Sequence, residues 1–136
     1  MKLEFVFEGP PVPYERMNYS NRWAERVVNY LAYKKAMAEA IAAKYPELVL
    51  DVPPTSLPAA RRKFNKTQKG VRYQLCAHVY RVADRGDLGN FMKGIEDALE
   101  DSGVIWNDKQ VTRYFGNPEV FIDAKNPRIE FWLERY

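Results

Sequence analysis

Histidine and cysteine are almost missing from this chain: His78 and Cys76 are the only examples in 136 residues. A single cysteine excludes an internal disulfide and favours a reducing, cytoplasmic setting. The same scarcity excludes a zinc site of the Cys/His kind. A Ser-His-Asp triad would have to use His78, which lies in a strand-like run with no nucleophile elbow beside it. There is no Walker-type phosphate loop, and no G-x-G-x-x-G follows a strand. No apolar run approaches the roughly 18 residues needed to span a membrane. The opening "MKLEFVFEG" reads as a strand and not as a signal peptide. Excess charge is also small: 21 Lys and Arg against 18 Asp and Glu give +3. Any argument for nucleic acid must therefore rest on where the basic residues fall.

What remains is a soluble composition, with enough apolar residues for one domain, residues 1–136, to bury a core. Residues 2–8 alternate, with Leu3, Phe5 and Phe7 on one face, as in a half-buried strand. "GPPVPYERMN" (9–18) halts it in an extended loop. A helix is predicted from a cap at Ser20 or Asn21 to about residue 45, with Trp23, Val27, Leu31 and Ala38 on its inner side. Residues 51–70 open proline-rich and turn basic. Arg61, Arg62, Lys63, Lys66, Lys69 and Arg72 occur in 12 residues without an acidic one, as in a loop or a short strand with a mobile tip. Residues 71–80 alternate again as a strand. A helix at 88–101 ends at Gly103, and 111–116 and 128–136 form two more strands. The order strand-helix-strand-helix-strand-strand predicts a mixed α+β fold with a single mixed sheet and two main helices.

Chemistry concentrates around the second helix. At 100° per residue, Leu88, Phe91, Met92, Ile95, Ala98 and Leu99 share an apolar arc, while Asn90, Lys93 and Asp97 share the opposite one. Asp87 precedes the helix, where it can serve as an N-cap. Asp108, in "IWNDKQV", precedes a strand and can be a turn residue. Packing of helix against strand is expected to bring Asp108 back beside Asp87. Two carboxylates there suit a hard cation such as Mg²⁺, which keeps several waters and takes substrate phosphate as well. Phosphodiester hydrolysis is the matching reaction. Lys93 would neutralise charge in the transition state, and the basic run 61–72 would meet the nucleic-acid backbone. The plain alternatives are an ordinary Lys93–Asp97 surface pair and a solvated basic loop. Tyr14 and Arg16 are further candidates for DNA contact, Trp106 and Phe115 for core or dimer interface.

The frame Asp87-Leu88-x-Asn90-x-x-Lys93, then Asp97-Ala98-Leu99, then Val104-Ile105-x-x-Asp108-x-Gln110-Val111 resembles the core of the RusA-type Holliday junction resolvases. Their pattern is D-L-D-N-x-x-K, D-A-L and D-D-x-Q-V. "FEGPPVP" resembles that family's first strand and proline-rich loop. The resemblance implies a homodimeric endonuclease, often prophage-borne in bacteria, that uses Mg²⁺ (or Mn²⁺) to nick four-way DNA junctions symmetrically. By position, Asp87 and Asp108 match metal carboxylates, Lys93 the catalytic lysine, and Asn90 and Asp97 supporting residues. Gly89 and Asn107 stand where the pattern has its other two carboxylates. Two readings therefore stay open: a junction nuclease, and a relative that binds branched DNA without cutting it. A small interaction protein with no role on DNA is a third.

Overall fold

The computed structural model describes residues 1–136 as one five-stranded mixed sheet with three α-helices. The elements are β1 (Lys2–Glu8), α1 (Glu25–Lys44), α2 (Pro58–Gln68), β2 (Tyr73–Arg81), α3 (Leu88–Ser102), β3 (Val111–Tyr114), β4 (Glu119–Ile122) and β5 (Arg128–Arg135). β5 lies between β1 and β2, antiparallel to both. β3 and β4 run parallel to β2, one after the other along its free side. Parallel neighbours need a crossover, and α3 supplies the one between β2 and β3.

Alternation sets the register. Leu3, Leu133 and Leu75 pair across β1, β5 and β2, as do Phe5, Phe131 and Ala77, and then Phe7, Ile129 and Val79. A one-residue slip would turn each row to the wrong face. These rows, apart from the partly buried Phe7 that packs against them, join Met37 and Ile41 of α1 and Phe91, Met92, Ile95, Ala98 and Leu99 of α3 in one buried cluster. The apolar arc read from the sequence of α3 is thus its buried face. Gly103 ends α3 with φ 85°, the left-handed conformation that costs glycine least.

Three local expectations need correction. Residues 58–68, read as loop or strand, are helical. Pro58 opens that helix, where its missing N–H costs nothing, and its mainly polar faces hide the helical period. The helix expected from Ser20 or Asn21 starts at Glu25, with Ala24 as its uncapped boundary. Asn21 instead closes a turn, accepting from the Asn18 amide at 2.8 Å and donating to the Arg16 carbonyl at 3.0 Å. Trp23 therefore falls outside the helical repeat and is 81% exposed, not core. β4 has no counterpart among the expected strands, because four residues are too few to show alternation.

Candidate active site

Asp87 caps α3: its carboxylate accepts from the Asn90 amide at 2.8 Å and from the Asn90 side chain at 3.3 Å. An acidic N-cap also meets the positive end of the helix dipole. Six residues on, roughly 9 Å of helical rise away, Lys93 donates to Asp97 at 3.0 Å and to Asp108. Lys93 is thus no solvated surface partner of Asp97 alone. It bridges α3 to the turn before β3.

That turn is heavily tied. Asp108 opens one turn of 3-10 helix, Asp108–Gln110, for which Asn107 is the N-cap. Asn107 Oδ1 accepts from the Lys109 amide at 2.8 Å. Gln110 Oε1 accepts from the amides of Trp106 at 2.7 Å and Asn107 at 3.0 Å. The Asp108 amide donates to Glu100 at 3.0 Å. Asp108 is thereby tied to α3 at Lys93 and Glu100. Because α3 crosses back along the sheet, the chain re-enters β3 beside the middle of α3, and Asp108 meets Lys93, while Asp87 stays turned to Asn90 at the first turn.

Sequence reading missed the groups that hold this arrangement. Tyr30, buried on α1, donates to the other oxygen of Asp97 at 2.9 Å. Its hydroxyl is held well above the ordinary tyrosine range, first by burial and then by Asp97. Tyr14 packs edge-on to Tyr30 at 5.4 Å and is pinned to α3 by its amide on the Asn90 carbonyl, 3.1 Å. Tyr30 and Asp97 lie 67 residues apart, so no local pattern could join them. On the flank, Tyr114 donates to Glu96 at 2.8 Å. Burial pushes the Glu96 carboxyl up, against the pull of Tyr114 and Lys93, and burial with Glu96 pushes Tyr114 up to about 12. For Lys93, burial lowers the pKa, but hydrogen bonds to Asp108 and Asp97 outweigh it and raise the pKa above the ordinary lysine range. Lys93 is a permanent cation at neutral pH.

No three acidic, histidine or cysteine side chains come together as a metal cage. Asp87 and Asp108 thus fit a hard cation only in the mode in which Mg²⁺ keeps waters and takes further oxygens from phosphate. Gly89 follows Asp87 by two residues, in the first turn of α3. A Cβ there would meet only Asp87 Oδ1, at 3.4 Å, an ordinary contact.

The basic residues divide. On α2, Arg61, Phe64 and Gln68 face inward: Arg61 donates to the Pro53 carbonyl at 2.8 Å and lies over Trp106, and Phe64 meets Trp106 edge-on at 5.1 Å. Arg62, Lys63, Lys66 and Lys69 are exposed. Arg72 lies against the Tyr136 ring at 4.9 Å, and Arg16 is exposed in the loop before α1.

The family model described as endodeoxyribonuclease RusA matches residues 8–134. No curated protein matches the chain.

Proposed function

Because this chain belongs to the RusA endodeoxyribonuclease family, we propose that it acts as a single nuclease domain that binds four-way DNA junctions as a homodimer and nicks them with a divalent cation, Mg²⁺ or Mn²⁺. Two-fold symmetry in the protein would match two equivalent cuts. The observation that carries the reading is Lys93, a partly buried ammonium fixed between Asp97 and Asp108 where α3 meets the turn before β3. Asp87 and Asp108 would hold the cation, which supplies polarisation of the phosphate and a more acidic water when bound. Lys93 stays protonated and offers positive charge to the phosphorane-like oxygens as they gain charge. Tyr30 and Asp97 keep its ammonium from swinging into solvent. Asn90, bonded to Asp87, orients that carboxylate. Arg62, Lys63, Lys66, Lys69, Arg72 and Arg16 would neutralise backbone phosphates.

A second reading is favoured by Gly89 together with Asn107, whose side chain is occupied in capping. Each removes a carboxylate from the family pattern, and less ligand charge weakens Mg²⁺ binding. In that reading the chain binds junctions and cuts them poorly or not at all. The test is divalent-dependent nicking of a synthetic four-way junction. Binding without any nick, in either Mg²⁺ or Mn²⁺, would leave the second reading standing alone.

A further inference from the structure

The basic helix α2 is held in an unusual way. None of its residues is buried, and no side chain caps its N-terminus. It has 11 residues, short of the roughly 12–15 that an isolated helix needs even for marginal stability. It carries five cations, Arg61, Arg62, Lys63, Lys66 and (at its C-cap) Lys69, and no acid. Arg62 and Lys66 stand at i and i+4, a like-charge pair that works against the helix. At 100° per residue, Arg62, Lys66 and Lys69 share the outer face; Arg61, Phe64 and Gln68 share the opposite one.

That inner face docks chiefly on the turn that presents Asp108. Phe64 packs edge-on to Trp106 at 5.1 Å with an interplanar angle of 77°, and the Arg61 guanidinium lies over the same ring at 5.8 Å. Gln68 Oε1 accepts from Gln110 Nε2 at 3.2 Å. Gln110 is the hub. It is 9% exposed, its oxygen accepts from the amides of Trp106 and Asn107, and its nitrogen donates to Gln68 of α2. The very next link is Asp108, bound to Lys93 and Glu100.

We propose that Gln110 and Trp106 are positioning residues that couple α2 to the Asp108 turn, so that phosphate binding on the outer face of α2 and the setting of Asp108 reinforce each other. The proposal rests on the reading that α2 meets the DNA backbone. A polyanion on the outer face relieves the repulsion within α2 and firms the helix. A firm helix holds Phe64 and Gln68 in place, and through them Trp106 and Gln110. Coupling of this kind is reciprocal: whatever orders the turn also favours α2 and its grip on DNA.

The experiment is backbone hydrogen exchange at residues 106–110 in the full chain, free and with a synthetic four-way junction at saturating concentration. Wild type is compared with Gln68→Leu and Phe64→Ala, which cut the inner contacts but keep every charge. Arg62→Ala/Lys66→Ala cuts the outer face and keeps the inner contacts. Junction is expected to slow exchange at the Trp106 and Asn107 amides about tenfold in wild type. That slowing is expected to shrink to under threefold in both inner-face variants, and in the outer-face pair, while the amides of β2 and β5 stay protected and show the fold intact. Undiminished slowing in Gln68→Leu and Phe64→Ala would mean that DNA orders the turn directly, and would overturn the coupling. So would the absence of any slowing in a wild type that binds. No salt-dependent junction binding by wild type is a separate result, read from the binding isotherm, and it removes the DNA reading itself.

Discussion

At the scale of single residues, one missing side chain and one hydroxyl decide most. Gly89 sits in the first turn of α3, where a Cβ would make one ordinary contact, with Asp87 Oδ1 at 3.4 Å, and an acid would complement the helix N-terminus. Gly89→Asp is expected to fold unhindered. Replacing a helical glycine by alanine is worth about 0.5–1 kcal/mol; aspartate, a poorer helix former, recovers less and meets repulsion from Asp87, so denaturation midpoints in EDTA should barely move. The midpoint should rise with added Mg²⁺ in the variant more than in wild type. Tyr30→Phe removes a hydrogen bond to a half-buried carboxylate and is expected to cost about 1.5–3 kcal/mol, measured by urea denaturation. Glu96 gives a pH signature. Its carboxyl is raised in the folded chain, so its contribution to stability is full in acid, below the ordinary glutamate value, and is lost as pH rises through the raised one. Glu96→Gln keeps an acceptor for Tyr114 and removes the buried charge. Thermal melts should show the variant more stable than wild type at pH 7 and no better in acid. Lys93 is raised as well and follows the same sign in a higher window: its stabilisation holds through neutral pH and is lost only as strongly alkaline pH strips its proton.

At the scale of elements, α3 was legible and α2 was not. The period of Leu88, Phe91, Met92, Ile95, Ala98 and Leu99 announces a buried face, Asp87 an N-cap and Gly103 a stop, and each lies where those signals put it. In α2 the apolar signal is a single Phe64, and the helix is kept by a ring and an amide supplied from 42 residues further along the chain. Short-range pattern carries no trace of such partners. The same limit hid Tyr30 behind Asp97, whereas Trp23 was misplaced by a local turn, in which Asn21 bonds Asn18 and Arg16 and delays the helix to Glu25. The two faces of α2 make a differential prediction. Alanine at Arg62, Lys63, Lys66 or Lys69 is expected to weaken junction binding across sequences. Each is also expected to lower the slope of log affinity against log salt by about 1 for every phosphate left without its cation. Alanine at Arg61 is expected to loosen α2 with little change in that slope, because its guanidinium is spent on the Pro53 carbonyl and Trp106. Binding isotherms at several salt concentrations separate the two.

At the scale of the whole molecule, the sheet works as the frame that sets α3 against the turn before β3. The mixed order follows from strand alternation and the one crossover through α3, and the sequence order of elements was enough to expect a single mixed sheet. The way β3 and β4 share one side of β2 was not, because strands of four residues carry little pattern. Phe131, fully buried across from Phe5 and Ala77, holds the middle row, and Phe131→Ala is expected to cost about 3–5 kcal/mol. The proposed junction cleavage depends on the site this frame presents, built around Lys93 and without a carboxylate at position 89. Its most direct test is one assay, nicking of a synthetic four-way junction in Mg²⁺ and Mn²⁺, by this chain beside its Gly89→Asp variant. Divalent-dependent nicking is expected, slow in the wild-type chain and at least tenfold faster in the variant. Junction bound by both proteins and cut by neither in either metal would contradict it.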